Sequence, residues 1–368
     1  MESLTLHFKK LDWVMIAAAL LLVSFGLLSL YSSSLTKGDF FNFQKQLIFA
    51  GIGIILLFLF SCADYRIFKN DPRLIFILYI VCVLSLAGLF FFAPEIRGVK
   101  GWYKIGPVSV DPIEFIKLIL LLLLAKYFTM RHVEMYRVSH ILLSGLYVLV
   151  PSLLIFLQPD LGSVLILIAL WLAVLIISGI KLRAFLVLML CGLLILTLGW
   201  SFFLKEYQKE RITSFIFLQS DPLRVGWSQS QAKIAVGSGG ILGQGLGRGS
   251  QTQYGFLPEP QTDFIFAAIA EEFGLVGVII LLSLFCILIW RIMRIALFSA
   301  SNFIRLFTFG FVVLLVSQIF VNIGMNLGLL PVIGIPLPLI SYGGSSLVAT
   351  FVGLGIVQSM YIRKNFTL

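Results

Sequence analysis

The stretch LPEPQTDFIFAAIAEEFGLVGVIILLSLFCILIW, Leu257 to Trp290, decides the fold. From Phe273 to Trp290 it carries no charge, which is long enough for an α-helix to cross a bilayer at about 17–25 residues per span. Its head holds four carboxylates, Glu259, Asp263, Glu271 and Glu272, in a chain that is 60% hydrophobic and only 12% charged. Acidic side chains are costly near hydrocarbon and usually face a bundle interior or water. The stretch therefore reads as a spanning helix that begins in a polar place.

Similar apolar runs recur through all 368 residues, and the mean hydropathy of +1.04 excludes an ordinary soluble domain. Helices are expected near 12–34, 45–62, 74–93, 112–129, 139–157, 162–179, 182–204, 264–291, 303–328 and 345–362. The fold class is all-α and polytopic, a single integral membrane unit over 1–368. It has about ten transmembrane helices, with one long loop, 205–262, between the seventh and eighth. The first run is too long for a secretory signal, lacks a clear A-x-A site and reads as retained.

An even number of spans puts both termini on one side. Lys9, Lys10, Arg66, Lys69, Arg73, Lys126, Arg131, Arg137, Lys181, Arg183, Arg291, Arg294, Arg305, Arg363 and Lys364 fall on the side of the N-terminus. Only Lys37, Lys45, Arg97, Lys100 and Lys104 fall in the short loops opposite. Cytoplasmic loops carry the excess of cations, so both termini are expected in the cytoplasm and loop 205–262 outside. The net charge of +10 is read by this topology, with no nucleic-acid partner expected.

The unusual residues gather on that outer side. In loop 205–262, Ala232 to Val236 is expected to form a short helix on the membrane surface. The glycines around SGGILGQGLGRG permit tight turns and close backbone approach. No register gives G-x-G-x-x-G, and no G-K-[ST] follows, so a nucleotide loop is excluded. Cys62, Cys82, Cys191 and Cys286 show neither C-x-x-C nor ligand-like spacing, and His7, His132 and His140 add no metal constellation.

Glu114 and Lys117 share one helical face at i, i+3. Two readings stand for them: a pair neutralised so that the helix inserts, and a pair lining a polar cavity. Asp160, in QPDLG, is placed to cap the sixth span. RGVKGWYKIG sets Arg97, Lys100 and Lys104 beside Trp102 and Tyr103. That arrangement fits an interfacial aromatic belt or a receiver of a phosphate-bearing head group. NIGMNLGLLPVIGIPLPLISYGGSSL, Asn322 to Leu347, reads as a broken segment beside a cavity or as a packing device of small residues. Thr262 or Asp263 is placed to cap the helix after it. Capping accounts for one acid of the four.

YQKERI, SDP, QAKIAVGSGG, GQGLG, LPEPQTDFIFAAIAEEFGLVG and the Asn322–Leu347 block together resemble the SEDS family (shape, elongation, division and sporulation). The likeness covers nearly the whole chain. GIPLPLISYGG and the short N-terminus are closer to its RodA, or elongation, branch than to its FtsW, or division, branch. The resemblance implies a peptidoglycan glycosyltransferase. Such an enzyme polymerises lipid II into glycan strands on the outer face of the bacterial cytoplasmic membrane, beside a class B penicillin-binding protein. It implies Asp263 as the essential acidic residue, which on the enzyme reading is the general base or the holder of a divalent cation such as Mg or Mn. It carries Glu114 and Lys117 over as lining the same cavity. On the enzyme reading Arg97, Lys100, Arg211 and Lys233 are candidates for the departing pyrophosphate, and substrate contacts are also expected at Asp160, Gln231 and Ser341. Two departures stand out: Gly101 precedes Trp102 where the family usually has Arg, and the Q-P-S-E pattern reads Asp111-Pro112-Ile113-Glu114. A lipid flippase and a non-catalytic scaffold are the alternatives. The flippase lacks an internal repeat, and the scaffold leaves the acids unexplained.

Overall fold

The structure is a computed structural model that describes residues 7–95, 101–106, 108–130, 138–202 and 225–363. Every one of the ten expected runs falls on a helix. They are α1 (Trp13–Lys37), α2 (Phe41–Cys62), α4 (Pro72–Phe92), α5 (Pro112–Met130), α6 (Val138–Leu157), α7 (Leu161–Ile177), α8 (Leu182–Phe202), α11 (Ile265–Leu297), α12 (Asn302–Asn326) and α13 (Gly344–Ile362). Among the described residues seven of these are long and apolar enough to cross a membrane, and α7 and the first part of α8 are shorter apolar helices. The remaining helix, α5, is largely buried inside the bundle and carries Glu114 and Lys117. The chain is a multi-pass membrane protein.

Local chemistry sets several starts. Asp12 accepts the Met15 N–H at 3.1 Å to cap α1, and Asp71 accepts the Arg73 N–H at 2.9 Å ahead of Pro72 to cap α4. Short pieces complete the order: α3 (Arg66–Asn70), α9 (Val225–Ser238) and α10 (Ser250–Gln253). The expected surface helix at 232–236 is thus a longer one, starting at Val225. The loop 94–111 is not wholly irregular either. Strands β1 (Tyr103–Ile105) and β2 (Val108–Val110) pair antiparallel, with Tyr103 opposite Val110.

Helix α13 lies along α2, where Gly53 makes room for Phe351 and Gly355 faces the Leu57 backbone. Small residues at helix crossings allow such close approach inside a membrane. Helix α11 packs between α1 and α12, and α5 between α4 and α12.

Polar contacts concentrate at the two ends of the bundle. At one end Asp12 pairs with Arg291 at 2.7 Å and exchanges hydrogen bonds with Gln358. His7 and Arg363 both reach Ser61, so the two ends of the described chain lie together. At the other end lie the β-hairpin, α9, α10, the head of α11 and segment 327–343. The site is built there.

Candidate functional site

The head of α11 is held from three consecutive carbonyls. The Gln261 carbonyl accepts the Tyr342 N–H at 2.8 Å, and the Thr262 carbonyl accepts the Ser341 hydroxyl at 2.8 Å. The Asp263 carbonyl accepts the side-chain amides of Asn322 at 3.2 Å and Asn326 at 2.9 Å. Both asparagines are fully buried on α12. Asn322 also donates to the Ile335 carbonyl at 2.8 Å, and Asn326 accepts the Ala267 N–H at 3.1 Å. Buried amides of this kind need partners, and here the partners are the backbone of the Asp263 turn and segment 327–343.

This arrangement corrects the capping expectation. Phe264 occupies the N-cap position of α11 without a side-chain cap bond, and Asn326 covers the first-turn N–H from another helix. Neither Thr262 nor Asp263 is the cap. The Asp263 carboxylate instead faces Gly334, where a Cβ atom would lie 3.7 Å from Oδ2. The strained backbone of Glu259 (φ 43°) and Leu339 (φ 67°) flanks the same turn, one residue from each of the two segments that meet here.

The other three acids of the opening stretch separate by environment. Glu259 is exposed, whereas Glu271 and Glu272 are buried on α11. Glu271 accepts the N–H groups of Gln251 (2.6 Å) and Thr252 (3.0 Å) and the Thr252 hydroxyl (2.7 Å), which caps α10. Glu272 accepts the Ser32 hydroxyl, the Gly247 N–H at 3.3 Å and the Gln253 amide at 3.2 Å, tying α1 to the glycine-rich loop. Two of the four acids are anchors.

A second polar group lies where the hairpin enters α5. Lys117 Nζ donates to Glu114 Oε1 at 2.8 Å, and both side chains are buried. The pair therefore neutralises itself, and Glu114 also borders a small cavity with Gln318 and Thr350. The neutralised-pair reading holds, and of the two side chains only Glu114 borders the cavity. The carboxylates of Asp111 and Asp160 stand close enough to act on Lys117 as well. Asp160 caps α7 by accepting the Ser163 N–H at 3.0 Å, as its placement in QPDLG predicts. Burial first, and then the negative charge of Glu114, push the Asp111 carboxyl up to about 7, against the Ile113 N–H that it accepts.

Segment 333–345 bridges the two groups. Ile333 and Ile335 pack on Gly162, beside Asp160, while Gly334 between them faces Asp263. Ser345 accepts the Asp111 N–H at 2.8 Å. Ser341 is a fastener: its hydroxyl donates to the Thr262 carbonyl and accepts the Leu337 N–H.

Helix α9 lies against the head of α11 through Ala232 and Ala235 on Leu257, Phe264, Ala267 and Ala268. Lys233 is exposed and lies over Gly328, and Gln231 is half-buried beside it. Lys104 is exposed on β1. Arg97, Lys100 and Arg211 lie outside the described residues. In the sequence Asn322 and Asn326 are marked only as two polar residues four apart in an apolar helix, a spacing that puts both on one face. Among the described residues no group of three His, Cys, Asp or Glu side chains is arranged to hold a metal ion.

Comparison with known proteins gives the lineage. The family described as "Cell cycle protein" (FtsW, RodA, SpoVE) matches residues 12–365. "Peptidoglycan glycosyltransferase MrdB" of Escherichia coli (strain K12) is 34% identical over 355 residues, 96% of this chain and 94% of that protein. "Stage V sporulation protein E" of Bacillus subtilis (strain 168) is 34% identical over 364 residues, 95% of this chain and 96% of that protein. Among solved structures, the rod shape determining protein RodA of Thermus thermophilus matches with a TM-score of 0.72 at 32% identity, over 96% of this chain and 98% of that one. A chain from "Structural coordination of polymerization and crosslinking by a peptidoglycan synthase complex" matches with a TM-score of 0.82 at 34% identity, over 95% and 97%. With nearly its whole length covered by all of these, the chain belongs to the FtsW/RodA/SpoVE family of cell cycle proteins.

Proposed function

We propose that this protein is a peptidoglycan glycosyltransferase that polymerises lipid II into glycan strands during cell elongation. The observation that carries the reading is the Asp263 turn. Four hydrogen bonds hold the carbonyls of Gln261, Thr262 and Asp263, while helix capping falls to Asn326 rather than to the Asp263 side chain. A carboxylate presented on a fixed backbone at the polar end of a membrane bundle suits reaction with a lipid-linked substrate.

In the reaction, a sugar 4-hydroxyl attacks the anomeric carbon of a second chain that carries a polyprenyl pyrophosphate. Asp263 takes the hydroxyl proton, the new C–O bond forms with inversion, and the bond to pyrophosphate breaks with its electron pair on the departing oxygen. Positive charge is needed where that anion leaves. Lys233 and Lys104 are exposed at this end, and Arg97, Lys100 and Arg211 belong to the same loops in sequence. Glu114, Lys117 and Asp160, with Gln231 on α9, are assigned here to contacts with the substrate. A divalent cation, Mg or Mn, would be held by Asp263 together with substrate phosphate oxygens, because Mg sites commonly use one or two carboxylates plus phosphate. It would supply charge for the leaving group.

This face lies outside the cytoplasmic membrane and both termini lie inside, supported by the fifteen-to-five distribution of cations. The partner is a class B penicillin-binding protein that cross-links the strands made here. The test is glycan product on a gel from purified protein and lipid II. Asp263→Asn keeps its shape and all four hydrogen bonds to the three carbonyls, so its thermal stability stays at the wild-type level. Loss of a general base lowers turnover by about 10²–10⁴-fold. Polymer from the variant within a few-fold of wild type would return Asp263 to a structural role, and no polymer from wild type with or without its partner would favour a flippase or a scaffold.

A further inference from the structure

Helix α11 is broken at Gly274, whose backbone (φ 65°, ψ −165°) is open only to glycine. A break at membrane depth leaves amides and carbonyls that must find partners within the protein. Segment 239–247 supplies them. The Gly240 and Ile241 carbonyls accept the N–H groups of Leu275 (2.9 Å) and Val276 (3.1 Å). The N–H groups of Gln244 (2.9 Å) and Gly245 (3.0 Å) donate to the Glu271 and Glu272 carbonyls. The segment takes the place of a helical turn, and a side chain at Gly243 would overlap the Glu272 carbonyl.

Depth follows from this pairing. Leu275 follows the break directly and lies inside the uncharged, spanning-length run that begins at Phe273. The segment paired to it turns apolar side chains outward: Ile241 is 69% exposed and Leu242 81%. Leu275 (53%), Val276 (44%) and Ile279 (54%) form the outward face of α11 beside them. The surface is continuous with the lipid-facing side of a spanning helix, and all four backbone groups at the break are paired. From this geometry we infer that segment 239–247 is a re-entrant strap whose Ile241 and Leu242 side chains lie among the acyl chains of the bilayer. The strap joins α9 to α10, so immersion sets the depth of the helix that carries Gln231 and Lys233.

The inference holds whatever the chain catalyses, because its readout is depth and not activity. A nitroxide is attached at Leu242→Cys in a chain freed of Cys62, Cys82, Cys191 and Cys286 and reconstituted in phosphatidylcholine bilayers. Collision with oxygen and with a water-soluble nickel chelate is then compared. Ile279→Cys serves as the lipid reference and Asp39→Cys, on the α1–α2 turn, as the aqueous one. The expected ratio of oxygen to nickel accessibility matches that at 279 and stands several-fold above that at 39. A ratio like that at 39 overturns the inference, as does protection from both reagents, which would mean that protein covers the strap. Ile241→Cys gives the same reading should the 242 label impair folding.

Discussion

The Lys117 ammonium sits among three carboxylates and bonds one of them, Glu114, within the bundle. Removing one partner of a buried pair leaves the other charge unsolvated, which costs about 3–5 kcal/mol. Exchange of the two keeps the pair and its i, i+3 geometry. Glu114→Lys and Lys117→Glu singly should therefore lower the yield of folded protein in detergent far more than the double exchange does. Equal losses in all three, measured by size-exclusion chromatography at matched expression, would remove the case for mutual neutralisation. The same cluster sits beside the segment that faces Asp263, so activity of the double exchange tests a separate matter: whether the order of charges is also needed by substrate.

At the scale of elements, the junction between the β-hairpin and α5 carries a proton-dependent contribution. Asp111 has its carboxyl raised from 3.8 to about 7, first by burial and then by Glu114. A carboxyl raised on folding favours the folded state when protonated. Its contribution is complete below the ordinary value near 4 and is lost as pH rises through about 7. Asp111→Asn keeps an oxygen for the Ile113 N–H but cannot ionise. Wild-type melting temperature should fall relative to this variant between about pH 5 and pH 8, and parallel curves would show that Asp111 is solvated. The hairpin carries this junction to α13 through the Ser345 hydroxyl, so loosening is expected first where hairpin and α13 meet.

For the whole molecule, the described chain begins and ends at one end of the bundle, while α9, α10 and the Asp263 turn occupy the other. The proposed orientation puts the first end in the cytoplasm. In a cysteine-free chain in intact cells, Tyr254→Cys, 77% exposed, should react with a thiol reagent that cannot cross the membrane. Lys10→Cys should react only after the cells are opened. The reverse result would invert the orientation and place the site on the wrong side for strand assembly.

Much of this was legible in the residues. Uncharged runs of spanning length are a local property, and each of the ten became a helix because backbone groups in hydrocarbon must pair within their own segment. The i, i+3 spacing alone brought Glu114 to Lys117, whereas Asp263 was singled out only through the family resemblance of its T-D-F block. The tertiary structure decided what depends on distant partners. Whether Asp263 capped α11 turned on Asn326, 63 residues away, and the roles of Glu271 and Glu272 turned on α10 and on Ser32. Gly274 carries the sequence of a tolerable helical glycine. Only the arrival of Gly240 to Gly245, with four hydrogen bonds to offer, makes a break there cheaper than a continuous helix. Such pairing energy belongs to two segments at once, and no local pattern in either one records it.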